Sequence, residues 1–188
     1  FDVNATLHEL KEHSLEKLNT QWSVSKKLLP GLKIYQIHSA TLETGVLGNR
    51  NILARLQQIK KEHNMIIGLT TTGSNQLEVL KKAADIEVEN ELLFGSFQST
   101  FNIMGQSVLP FGAKLEDGHH KLIIKESMAN GRLMVEEVLK KHRGMYGLIA
   151  NLAAKYEVGA DAIAMRFCMD SFPGSVCLSG ASSSEQLA

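Results

Sequence analysis

The sequence predicts an α/β fold built on parallel strands, and three observations predict it. Short strand-like runs begin near Lys33, Met65, Leu93 and Lys121, with a last one over Ser175 to Leu178. The first three intervals are 32, 28 and 28 residues, and each holds a helical pattern. That is room for a crossover helix, so the units read as right-handed βαβ connections. The runs are also apolar at successive positions, as in Ile66-Ile67 and Leu122-Ile123-Ile124. Strands covered on both faces have this pattern. A small doubly wound sheet and part of a (β/α)₈ barrel both fit five such strands.

The elements follow in order. Leu15, Leu18 and Trp22 suggest a helix upstream of the first strand. That strand is Lys33-Ile34-Tyr35-Gln36-Ile37-His38-Ser39, which ends on a histidine before a polar loop containing Gly45. Ile52, Leu53, Leu56 and Ile59 then make one helical face, with Gln57, Lys60 and Lys61 expected outside. After the run at Met65, Leu77, Leu80 and Ala84 make another face, and Ser74 is the expected N-cap. Asn130 is expected to cap a third helix burying Leu133 and Val138. The last interval is longer and holds two faces, Leu148, Ile149, Leu152 and Tyr156, then Ile163, Ala164 and Phe167.

Composition bounds the partners. A chain of 188 residues, 44% apolar and 21% charged, is expected to form a single domain over 1–188 with a substantial core. Formal net charge is zero and no basic stripe is interleaved with aromatics, which argues against nucleic acid. The longest apolar runs, such as Met65-Ile66-Ile67-Gly68-Leu69, are too short for membrane insertion. The chain opens Phe1-Asp2-Val3-Asn4, with no initiator Met and no signal-peptide pattern. Its native start is therefore expected upstream. Cys168 and Cys177 sit nine apart in apolar segments, which fits a reduced, intracellular compartment better than a disulfide scaffold.

Parallel strands place ligands at their C-terminal ends. Those ends read His38 and Ser39; Thr70, Thr71 and Thr72; Gln98 with Asn102 following; Lys125 and Glu126; and Ser179, Gly180 and Ser182-Ser183-Ser184. Hydroxyls and amides beside one His and one Lys suit a polar ligand. Each also admits a turn role, because polar residues mark strand ends wherever the chain bends. Lys125 beside Glu126 admits a structural ion pair or a Schiff-base lysine. His119-His120 precede a strand and read as a solvated turn. No metal-ligand spacing and no Gly-x-Gly-x-x-Gly or Walker loop occurs. The serines at 182–184 open a possible helix whose N–H groups suit an anion.

Five of these stretches together resemble the aldo-keto reductases. Tyr35-Gln36-Ile37-His38-Ser39-Ala40-Thr41 is similar to their fourth strand, and Ile67-Gly68-Leu69-Thr70-Thr71-Thr72-Gly73 to the fifth. Gln98-Ser99-Thr100-Phe101-Asn102 resembles the sixth, and Ile124-Lys125-Glu126-Ser127-Met128-Ala129-Asn130-Gly131-Arg132 the seventh. Ser179 to Leu187 resembles the loop after the eighth in bacterial and plant-type members. The resemblance implies a TIM (β/α)₈ barrel of which this chain supplies about the last five β/α units. It implies an NAD(P)H-dependent carbonyl reductase, or alcohol or sugar dehydrogenase, acting by hydride transfer in the cytoplasm or a plastid.

The same resemblance makes His38 the residue that orients or polarises the substrate carbonyl. Gln98 would hold the nicotinamide carboxamide, and Thr70 and Thr71 stand where a Ser-Asn pair usually does the same. Ser182 and Ser183 would lie near the adenosine phosphates. Lys125 stands where many members present an aromatic to the nicotinamide. NADP is the implied cofactor, with NAD the alternative, since Gly180 and Gln186 stand where many members carry Lys and Arg. The family's catalytic Asp, Tyr and Lys lie on or after earlier strands, so they are expected upstream of Phe1. Five strands would leave two open barrel edges. The alternative is therefore a non-catalytic reductase-like subunit or scaffold, with a protein partner covering the open edge.

Overall fold

The computed structural model describes residues 12–134, 142–181 and 183–184. Backbone contacts divide the chain into two units, Phe1–Gly95 and Ser96–Ala188. Both are α/β, with strands paired in parallel.

In the first unit, Ser14 sets the start of helix α1 (Leu15–Ser25) by accepting a hydrogen bond from the Lys17 N–H at 3.0 Å. This satisfies one of the orphan donors of the first turn. The helix buries Trp22, whose ring meets Tyr35 edge-on and His63 at a tilt, each at 5.1 Å between centroids. Strand β1 (Ile34–Ala40) pairs in parallel with β2 (Ile66–Thr71), Ile34 opposite Ile66 and Ile37 opposite Leu69. The register then slips, so that Ala40 lies opposite Thr71. Every residue from Ile67 to Thr71 is buried, as expected of a strand covered on both faces. Ile66, at the entry to the strand, is the exception and is 42% exposed.

Between these strands runs helix α2 (Arg50–His63), capped by the Asn49 side chain and ended by Asn64 in the left-handed region. Ile52, Leu53, Leu56 and Ile59 are buried, as the periodicity predicts. Gln57 departs from its expected outward position and is buried, because its amide donates to Glu91 at 2.9 Å. Helix α3 (Gln76–Ala84) buries Gln76, Val79, Leu80, Ala83 and Ala84. Its cap position is Asn75, one residue later than expected, and Ser74 is exposed.

A hairpin of β3 (Glu87–Val88) and β4 (Glu91–Leu92) follows, which the sequence does not announce. Its turn residues Glu89 and Asn90 both have positive φ (56° and 62°), the backbone of the tight turns that match strand twist. Three side chains of α2 hold it. Gln57 reaches Glu91, the Lys60 ammonium donates to the Leu92 carbonyl at 2.6 Å, and Lys61 pairs with Glu89 at 2.8 Å. Glu91 is held below the usual carboxylate range, first by the Gln57 amide and then by Lys61.

The second unit contains most of β5 (Phe94–Thr100), with β6 (Lys121–Lys125) and β7 (Val176–Cys177). β6 lies between the other two, parallel to both, with Ser96 opposite Lys121, Thr100 opposite Lys125 and Ile124 opposite Cys177. Its core is aromatic. Phe97 meets Phe111 edge-on at 5.4 Å, and Phe101 stacks on Phe167 at 5.5 Å and meets Phe172 edge-on at 4.8 Å. His120 belongs to this core and not to a solvated turn: it is 4% exposed, 5.2 Å from the Phe97 ring. His119, its neighbour, is exposed.

Two helices, α4 (Arg143–Tyr156) and α5 (Ala160–Ser171), connect to β7. The expected face of α4 holds in part. Ile149 is buried as expected and Leu152 is half-buried, but Leu148 and Tyr156 are exposed, and Tyr146 joins Ile149 in packing with Ala129, Leu133 and Ala164. The Tyr146 hydroxyl anchors this face by donating to the Arg132 carbonyl at 2.6 Å. Asn130 does not cap a regular helix. It lies in the left-handed region (φ 54°), and residues Ala129–Met134 form tight 3₁₀ turns broken at Asn130 and Gly131. Leu133 is buried as expected, and Val138 lies outside the described residues.

Two expectations follow. Phe101→Ala removes the ring shared by Phe167 and Phe172 and should cost about 3–5 kcal/mol, read from the denaturant midpoint; a loss under about 1 kcal/mol would mean the cluster carries little. Burial against Trp22 raises the Tyr35 phenol above its usual range, partly offset by Ser25. The fold therefore favours the protonated phenol. Its contribution is complete below the pKa of an unfolded tyrosine and disappears as pH rises through the folded value. Alkaline unfolding monitored by circular dichroism should begin at higher pH in Tyr35→Phe than in the parent.

Candidate functional site at the strand ends

His38 is two residues from the end of β1, because the strand continues through Ser39 to Ala40. Its residue surface is exposed, and its carbonyl accepts a hydrogen bond from His13 Nε2 at 2.9 Å. That bond fixes the proton of His13 on Nε2, so Nδ1 is the acceptor of the neutral ring. Ser39 follows in the left-handed region (φ 51°), a conformation that costs a residue with a Cβ about 1 kcal/mol. Its N–H donates to Thr70 Oγ1 at 2.8 Å.

A groove of about 800 Å³ runs beside His38, between α1, β1 and the start of α2. Lys17 and Gln21 line it from α1, Gln36 and His38 from β1, and Leu56 from α2. The His13 ring and Gln36 amide also carry buried atoms, Nδ1 and Nε2, that have no hydrogen-bond partner among the described residues. An acceptor and a donor thus lie buried near the strand end, with no partner among the described residues. The sequence reading missed both. Gln36 could have been found as the amide interrupting an apolar run, but His13 has no local signal.

Thr70 and Thr71 are buried, and both hydroxyls are engaged. Thr70 accepts from Ser39, and Thr71 donates to the Gln76 side chain at 3.0 Å. Their first structural role is to brace the end of β2 against β1 and α3.

In the second unit, Gln98 is half-buried in β5 opposite Ile123. Lys125 is half-buried at the last position of β6, and its carbonyl accepts from the Phe101 N–H at 3.3 Å. Glu126 turns into the left-handed region (φ 59°), and its carboxylate accepts from Asn130 at 3.1 Å. The anticipated Lys125–Glu126 ion pair does not form among the described residues: the backbone turn carries the carboxylate to Asn130 instead. Asn102 is buried. Its amide donates to the Glu126 carbonyl at 2.9 Å and its oxygen accepts from the Met104 N–H at 3.0 Å. Ser127, also buried, donates to the Leu178 carbonyl at 2.8 Å. At the final loop, Ser179 accepts from the Ala181 N–H at 3.2 Å and Gly180 supplies a positive φ of 70°. Ser183 is exposed; Ser182 lies outside the described residues.

Within the first unit, then, His38 is joined by Gln36 and His13 around a groove. The second unit presents an amide and an ammonium near the ends of β5 and β6. Among the described residues, no three His, Cys, Asp or Glu side chains gather as metal ligands, and no helix is long and apolar enough to cross a membrane.

Thr70→Val keeps the shape of the side chain but leaves the buried Ser39 N–H without an acceptor. Urea unfolding should show a loss of about 1–3 kcal/mol, with Thr70→Ser close to the parent. Equal stability of Thr70→Val and the parent would remove the bracing role. Against known proteins, the chain matches no family model and no curated relative.

Proposed function

We propose that this chain serves an NAD(P)H-dependent carbonyl reductase, or alcohol or sugar dehydrogenase, of the aldo-keto reductase type, working in the cytoplasm or a plastid. The observation that carries the reading is an exposed histidine near the C-terminal end of a parallel strand, lining a groove beside which two buried polar atoms have no partner among the described residues. A carbonyl becomes more basic as hydride arrives at its carbon. An imidazole N–H from His38, held where that oxygen develops charge, lowers the barrier. The groove is large enough for a small aldehyde or a sugar.

When bound, the nicotinamide supplies the hydride. The residues assigned to it fit unevenly. Gln98 is half-buried at a strand end, where an amide can meet a carboxamide. Lys125 has no ion-pair partner among the described residues and can face an anionic or polar group of the cofactor. The Thr70 and Thr71 hydroxyls are already engaged, so their share reduces to holding the strand end. Ser183, with Ser182, is assigned to the adenosine phosphates.

Those engaged hydroxyls favour a second reading, a reductase-like subunit that does not turn over and works with a protein partner. Titrating the chain with NADPH and NADH while following nicotinamide fluorescence separates the two. Saturable binding, weakened about tenfold in Gln98→Ala by loss of one hydrogen bond, is the result expected of the reductase. A folded chain that never saturates with either nucleotide would sink that reading and leave the non-catalytic one.

A further inference from the structure

Cys168 and Cys177 are both free thiols, and the fold brings them together. Helix α5 ends at Ser171, and the chain reverses through residues 172–175. The Ser175 N–H donates to the Phe172 carbonyl at 3.1 Å, and Gly174 takes a positive φ of 81° that a residue with a Cβ rarely adopts. This tight reversal carries β7 back alongside α5. Cys168, fully buried on the helix, therefore lies beside the half-buried Cys177 of the strand, the element packed against that helix. The Cys168 S–H also points at the Phe101 carbonyl, 3.4 Å away.

We propose that Cys168 and Cys177 form a redox modification site: a reversible disulfide joining α5 to β7, made by exchange with a small-molecule disulfide of the glutathione type. The environments give the two sulfurs different parts. Burial, reinforced by the neighbouring Cys177, pushes the Cys168 thiol up to about 12, so it holds its proton. Cys177 is the partly exposed sulfur and can meet an oxidant.

In the first step the Cys177 thiolate attacks one sulfur of oxidised glutathione. A Cys177–glutathione disulfide forms and one glutathione thiolate leaves, taking a proton from water. In the second step Cys168 gives up its proton and attacks the Cys177 sulfur, forming the Cys168–Cys177 bond and releasing the second glutathione. Two protein thiols are oxidised and one small disulfide is reduced to two thiols. The burial that holds the proton on Cys168 makes this second step the slow one. Oxidation also removes the S–H donor from the Phe101 carbonyl.

The test is to treat the full chain with oxidised glutathione under native conditions, then quench with acid and measure intact mass and free thiols. The expected product is a monomer lighter by two hydrogens with no titratable thiol, restored by dithiothreitol. Cys168→Ala should stop at a stable Cys177–glutathione adduct, and Cys177→Ser should remain unmodified because its remaining thiol is buried. A parent chain that keeps both thiols, stops at the glutathione adduct, or forms a disulfide-linked dimer would overturn the proposal. Should Cys168→Ala fail to fold, the mass of the parent and of Cys177→Ser decides the question.

Discussion

The hydrogen bonds that tie the C-terminal ends of neighbouring parallel strands are the constraint on which the rest of each unit depends. Parallel strands cannot be joined by a tight hairpin, so each leaves the sheet through a loop whose backbone needs partners. Short polar side chains supply them here. Thr70 takes the Ser39 N–H, Asn102 gives to the Glu126 carbonyl, and Ser127 gives to the Leu178 carbonyl. Each bond joins the exit of one strand to that of a neighbour, and each is buried or partly buried. Ser39 and Glu126, which bear Cβ atoms at positive φ, are the residues these bonds hold in place.

This divides the polar residues at the strand ends into two populations that look alike in sequence. Thr70, Thr71, Asn102 and Ser127 are buried and engaged with the chain itself. His38 and Lys125 differ in setting: one is exposed and lines a groove, the other stands half-buried without a carboxylate among the described residues. A binding site on such a frame draws its precision from the first population and its chemistry from the second.

Much of the fold was legible because burial has a period. The five strand runs, the α2 face and the Trp22 anchor all follow from apolar spacing. What escaped was set by contacts distant in sequence. Gln57 is buried only because a hairpin some thirty residues later offers it Glu91. His120 looks like one half of a surface pair until Phe97 covers it. Tyr146 joins the α4 face because the turn at Ala129–Leu133 is what that face packs against among the described residues. At the candidate site, His38 was legible as a polar residue where a strand should stay apolar. The groove beside it was not, since much of its lining comes from α1, a helix whose packing partner the sequence leaves open.

The small β3–β4 hairpin has a kinetic consequence. Its two-residue turn closes locally, an event of microseconds, yet a two-stranded ribbon of this length is marginal alone in water. It persists because Gln57, Lys60 and Lys61 clasp it from α2 across roughly thirty residues of chain. Loop closure over that distance must precede the clasp. The hairpin's backbone amides therefore serve as a built-in reporter: they gain protection from exchange when α2 docks, and lose it first when that helix lets go.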